Sequence, residues 1–229
     1  MENNHISHQP DGALSFKVKD CTIITRMGGV DPAITLRELR ERVKICTIDS
    51  IYHHFCELVM RPTFDDPEFR NDFAVWASRN LRDRTLAERL GVLNPYSFSD
   101  FEALRERLIE IIDIRLTEIH FIPSVPLDEA FMFLRSATAI FDTGMELTST
   151  QDFIECLPSL SRNSIFYHFI DARRRTPEKI DDFTFWLQMM PEPPEELLWA
   201  LRHIDFYYMS LSELKETLVQ STCNLSVGE

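Results

Sequence analysis

Glycine is scarce in this chain, with six among 229 residues. They form no G-x-G-x-x-G and no Walker-type loop, so a backbone cradle for phosphate is excluded. A G-x-S-x-G elbow and an H-E-x-x-H helix are also missing, which removes two common hydrolase arrangements. Positive charge is in short supply: Lys and Arg total 24 against 37 Asp and Glu, for a formal net charge of −13. That balance repels phosphate backbones and anionic lipid, so neither nucleic acid nor a membrane surface is expected as a partner. The one basic run is Arg173-Arg174-Arg175. No apolar stretch approaches the roughly 18 residues of a membrane span, and Met1 to Gly12 lacks the apolar core of a signal peptide. The five cysteines are an odd number and form no Cys-x-x-Cys. A disulfide framework or zinc knuckle therefore has no support, and a reducing, cytoplasmic compartment fits.

What is present is an ordinary folding composition. Apolar residues make up 44% of the chain and charged residues 27%, enough for one large core or two small ones. The chain also repeats itself. Ser50-Ile-Tyr-His-His-Phe55 returns as Ser164-Ile-Phe-Tyr-His-Phe169, and Asn71-Asp-Phe-Ala-Val-Trp76 returns as Asp181-Asp-Phe-Thr-Phe-Trp186. Leu93-Asn-Pro-Tyr96 matches Ile204-Asp-Phe-Tyr207, and Phe16-Lys-Val18 matches Phe131-Met-Phe133. The order is kept and the spacing stays close to about 110 residues, the mark of an internal repeat. Slippage in that spacing places a small insertion at Pro62 to Glu68 in the first copy.

Each copy opens on alternating apolar residues, Leu14, Phe16 and Val18 in the first, which is the period of a half-buried strand. Gly28-Gly29 and Gly144 then read as turns. Leu36, Leu39 and Val43 mark one helix, and Ile51, His54, Phe55 and Leu58 mark a second at the spacing of a single face. Phe73, Trp76 and Ala77 open a third, and Leu86, Leu90 and Leu93 lie on a fourth. Ser99-x-x-Glu102 and Ser210-x-x-Glu213 read as capping boxes at the start of the last helix of each copy. The expected fold is mainly α with short β elements (α+β), as two pseudo-symmetric copies of a strand-pair plus helix-bundle unit. Copy one spans 13–122 and copy two 123–221, with flexible tails at 1–12 and 222–229.

The residues that carry the repeat also carry a resemblance. The opening strand, the Ser-Ile-Tyr-His-His-Phe helix, the Asn-Asp-Phe-x-x-Trp motif, the Asn-Pro-Tyr turn and the Ser-x-x-Glu helix resemble a prokaryotic family catalogued as domain of unknown function 5752. The resemblance runs from about Phe16 to Val219. Phe206 departs from it where Pro95 stands in the first copy, which puts the second turn in doubt. The family has no established activity, so it implies a fold and an extent but no catalytic residue.

His54 and His168 are the positions with the most chemistry to offer. Each sits on the apolar stripe of its helix with a carboxylate three residues on, Glu57 or Asp171, and a motif aspartate further along, Asp72 or Asp182. An imidazole on such a stripe needs a hydrogen-bond partner. It is then either a core histidine bonded to the aspartate or a backbone group, or an acid-base or ligand-binding residue. A metal site of His54, Glu57 and Asp72 matches no known ligand spacing, so no metal and no cofactor is expected. Asp72 and Asp182 themselves read as helix caps. Trp76 and Trp186 read as core anchors, with stacking platforms as the rival. Tyr96 and Tyr207 would fix turns, with stacking as the rival for them and for Tyr52 too, and Tyr52 and His53 would mark a contact surface if exposed. Cys56 beside the histidines makes a poor nucleophile, because Ile170 replaces it in the second copy. The leading expectation is a non-catalytic binding or protein-interaction protein, with a role as accessory to another enzyme as one form of it. Its partner would be an unknown protein or small ligand, and homo-oligomers are possible. The alternative is an enzyme or metal-dependent binder using the repeated His-Asp pair.

Overall fold

The computed structural model describes residues 6–8, 14–61, 68–176 and 178–223. In chain order the elements begin with strands β1 (Ile6–His8) and β2 (Leu14–Met27). Five helices follow: α1 (Leu36–Ile45), α2 (Ile48–Cys56), α3 (Asp72–Arg79), α4 (Arg84–Gly91) and α5 (Phe101–Glu118). Then come strand β3 (Leu134–Leu147) and helices α6 (Thr150–Cys156), α7 (Arg162–Ile165), α8 (Asp182–Leu187), α9 (Glu195–Arg202) and α10 (Leu211–Cys223). The protein is thus a mixed, largely helical fold with a sheet ordered β1-β2-β3.

Contacts divide the chain into two compact units, Ile23–Ala137 and a second made of Met1–Thr22 with Thr138–Glu229. This division differs from the expected copies at 13–122 and 123–221. The boundaries fall inside β2 and β3, so each unit holds a part of each strand. The α1–α5 unit contains the start of β3, and the α6–α10 unit contains the start of β2.

In the α1–α5 unit, Leu36, Leu39 and Val43 of α1, Ile51 and Phe55 of α2, and Phe73, Trp76 and Ala77 of α3 are all buried, as their spacing requires. Phe131 and Phe133 close this core, with Phe131 stacked on Phe73 at a centroid distance of 4.8 Å. Gly28 passes so close to the chain here that a Cβ would lie 2.8 Å from the Phe133 oxygen, and its N–H donates to that oxygen at 2.7 Å. Caps set the helix starts: Thr35 accepts from the Glu38 amide, Asn71 from Ala74 and Asp83 from Leu86. In the α6–α10 unit, Phe16 and Val18 of β2 are buried, and Phe16 packs against Phe183 and Trp186. Phe153, Ile165, Phe169, Leu198, Leu214 and Leu218 fill out that core.

Several expectations change. The strands are long, 14 residues each. Past Cys21 the alternation of β2 is lost because Thr22 and Ile24 through Met27 are exposed and only Ile23 is partly covered, so no burial pattern marks the extension, although Thr and Ile are good strand formers. Gly144 lies inside β3 at φ 75° and not in a turn beyond it. Residues 6–8, read as tail, pair antiparallel with β2, Ile6 opposite Phe16. Ser99 does not cap α5: Asp100 does, accepting from Ala103. The Ser210 box forms, with Ser210 N–H donating to Glu213 and Glu213 N–H to Ser210. The helix carrying His168 widens to a π-turn over Phe166–Ile170 and tightens to a 3₁₀ turn over Asp171–Arg174. The segment read as an insertion, Pro62 to Glu68, falls at 62–67 outside the described residues, as do 224–229 of the expected C-terminal tail.

Candidate functional site

Helix α2 delivers Ser50, His53 and His54 to the start of β3, and Glu57 caps its C-terminal end. Ser50 Oγ donates to the Leu134 carbonyl at 2.7 Å, and the Leu134 N–H donates to His54 Nε2 at 3.0 Å. Two side chains one helical turn apart therefore satisfy both backbone groups of one strand residue, as a neighbouring strand would. Because Nε2 accepts an amide proton, it carries none itself; the proton is on Nδ1, which donates to Asp72 Oδ2 at 2.7 Å. Asp72 is also held by Arg61, whose Nη1 and Nη2 lie 3.2 Å from Oδ1 and Oδ2. The ring sits among Phe73, Phe131 and Phe133 and is 1% exposed.

The α6–α10 unit holds the same chain of bonds. The Lys19 N–H donates to His168 Nε2 at 2.8 Å, and His168 Nδ1 lies 2.8 Å from Asp182 Oδ2. Arg175 Nη2 donates to Asp182 Oδ2 at 3.1 Å. Phe16 and Phe183 flank the ring. Burial pushes both histidines below their ordinary pKa, more than the neighbouring aspartates raise them. Burial opposes ionisation of Asp72, but its bond to His54 and the charges of His54 and Arg61 outweigh that and hold the carboxyl below its usual range.

Asp72 and Asp182 do not cap their helices as expected. They are the first helical residues, and the caps are Asn71 and Asp181, one position earlier. That shift leaves the two carboxylates free to turn toward the histidines. Glu57 and Asp171 do not serve His54 and His168. Glu57 Oε2 lies 2.6 Å from His53 Nδ1, a bond between helical neighbours four apart, and Asp171 receives Arg174 and Arg175. Trp76 and Trp186 are buried and their indole N–H groups donate to the carbonyls of Glu129 and Leu14. No ligand can stack on them there. Tyr52 and His53 are buried too, so they mark no contact surface, and Tyr52 packs edge-on against Phe101. Tyr96 sits half-buried in the 3₁₀ turn Pro95–Ser97. Tyr207 is buried and meets Tyr208 edge-on.

Arg61 and Arg175 were missed from the sequence, although each stands seven residues past its motif histidine. Their surroundings differ. Arg175 also donates to Asp171 and to the Tyr167 carbonyl, and its guanidinium lies 4.1 Å from the Tyr167 ring centroid. Arg61 instead places Nη2 2.8 Å from His53 Nε2. Its side chain is 39% exposed, against 12% for Arg175.

His53, His54 and Asp72 each bring a ligand atom to within 4.8 Å of the others. The proton inventory breaks this trio. With Leu134 donating to Nε2, His54 must keep the Nδ1 proton and has no lone pair to give on that side.

No curated protein matches the chain. Among solved structures, OrfY from Thermoproteus tenax is similar at 22% identity with a TM-score of 0.77, covering 93% of this chain and 96% of its own. That likeness is one of fold. The Family of unknown function (DUF5752) matches residues 13–223, a range that takes in the strand, His-Asp and Trp motifs of both units, and the chain belongs to that family.

Proposed function

We propose that this is a non-catalytic binding or protein-interaction protein, built from two diverged copies of one unit, in which the repeated histidines clamp strands. The observation that carries the reading is that both ring nitrogens of His54 and of His168 are engaged by the protein itself. A general acid or base needs one nitrogen within reach of substrate, and here that nitrogen holds a strand amide. The duplication is supported by bonds as well as letters. The Trp–carbonyl, amide–His, His–Asp and Asp–Arg bonds recur with His, Arg, Asp and Trp in the same order, while the strand carbonyl and amide follow them in the α1–α5 unit and precede them in the other.

A partner would meet exposed apolar side chains and not the motif residues. Val92, Phe121 and Leu127 offer such surface in the α1–α5 unit, and Met189, Trp199 and Tyr208 in the other. Among the described residues no helix is long and apolar enough to cross a membrane. A cytoplasmic accessory to another enzyme, which binds a protein or small ligand and can self-associate, fits these features. The rival, an enzyme or metal-dependent binder using the His-Asp pairs, would have to break the Leu134 or Lys19 bond before acting. The test is affinity co-purification from the native host with wild type, Trp199→Ala, Phe121→Ala and His54→Gln. Loss of a specific partner with an exposed-residue variant, at unchanged stability, supports the reading. A partner or substrate lost only with His54→Gln, at unchanged stability, overturns it.

A further inference from the structure

The contrast between His53 and Tyr167 goes beyond the clamps. Both follow the same motif, but only His53 presents a ring nitrogen to the arginine at the outer end of the network. Arg61 is a donor only, so a 2.8 Å contact from its Nη2 means that His53 Nε2 is an unprotonated acceptor. The proton is on Nδ1, where Glu57 Oε2 lies at 2.6 Å and Ser136 Oγ at 2.8 Å. The same Nη2 is 3.2 Å from Asp72 Oδ2. One cationic nitrogen thus rests between an imidazole lone pair and a carboxylate, the donor pair that a divalent metal ion selects.

We infer that the α1–α5 unit carries a site for a divalent transition metal ion, with His53 Nε2 and the Asp72 carboxylate as protein ligands and Arg61 standing in the place of the ion. Both ligands already have the supports of a metal centre. A carboxylate, Glu57, orients His53 through its far nitrogen, and His54 Nδ1–H fixes Asp72. His54 is a positioning residue here, since its Nε2 remains on Leu134. The charges around the ion's position are Asp72 and Glu57, negative, and Arg61, positive. Arg61 is partly exposed, so its side chain can turn to solvent as the ion enters, and the remaining pair of carboxylates balances a divalent charge. Nitrogen and oxygen donors together favour zinc or cobalt over calcium or magnesium. The α6–α10 unit lacks the site, because Tyr167 has no lone pair of this kind and its ring covers Arg175.

The inference is independent of the partner-binding reading and is tested with the full chain and zinc alone, by isothermal titration, with cobalt absorption as a second readout. Arg61 competes with the ion, so Arg61→Gln should bind zinc at least about tenfold more tightly than wild type, and a damaged fold would not produce that gain. Glu57→Gln should weaken binding about 10–100-fold, the usual effect of removing an outer support. His53→Tyr in the Arg61→Gln background, checked for a folded circular dichroism spectrum, should abolish the cobalt spectrum. Equal affinity for wild type and Arg61→Gln, zinc binding that survives His53→Tyr, or no binding by any variant would each overturn the site.

Discussion

His54 takes the backbone amide of Leu134 on Nε2 at 3.0 Å while it holds Asp72 on Nδ1 at 2.7 Å. A neutral imidazole thus serves as a two-ended connector between a strand and the first turn of α3. His168 does the same for Lys19 and Asp182. The cost of burying so many polar groups is offset because each finds a partner.

Acid should open both connectors. Burial holds each histidine below the ordinary value of 6.5, so below that pH the unfolded chain binds more protons than the folded one. Stability contributed by the neutral rings is therefore complete above 6.5 and falls as pH drops toward the folded pKa values. His54→Gln and His168→Gln should each lose about 1–3 kcal/mol at neutral pH, the cost of a mismatched buried polar group, and each should decline less steeply in acid. Urea unfolding across the range checks this. Wild-type stability that rises on acidification would contradict it.

The two arginines should separate cleanly. Arg175 bridges Asp171, 2% exposed, and Asp182, 9% exposed at its side chain, and its removal breaks both buried ion pairs although Asp171 keeps Arg174. Arg175→Ala should cost about 3–5 kcal/mol, as for a broken buried pair. Arg61 is far more exposed and Asp72 keeps His54, so Arg61→Ala should cost under about 1 kcal/mol. Thermal melts of the two variants measure the difference, and equal losses would count against the unequal burial seen here.

Much of this was legible in the letters. Helix faces such as Leu36, Leu39 and Val43 came from spacing, and the His-Asp pairing came from a repeated motif. The one-residue shift of the caps was not legible, because Asn71-Asp72 and Asp181-Asp182 offer two capping residues in a row and only packing decides which one caps and which one meets the histidine. Nor were the Leu134 and Lys19 bonds, since a backbone amide has no letter of its own. The assignment of strand halves to units was hidden as well, because periodicity reports which face is buried and not which helices bury it.

That assignment predicts how the halves behave. Helices α1–α5 sit in one unit with the start of β3, and α6–α10 with the start of β2. Fragments 1–122 and 123–229 should each fail to fold as a monomer, because each lacks the strand its helices hold. Co-expression should restore the cooperative melt. A cooperatively folded monomer of either fragment alone would contradict the assignment.

The motif histidines are neutral connectors with the proton on Nδ1 and an amide on Nε2. Imidazole nitrogen NMR on ¹⁵N-histidine-labelled protein reports this directly, with His54→Gln and His168→Gln assigning the signals. The His54 and His168 rings should both stay in the Nδ1–H form from about pH 8 down to below 6.5, where burial has displaced their titration. An Nε2–H form at His54 or His168, or free titration of either ring near 6.5 in the folded protein, would show that they are not such connectors.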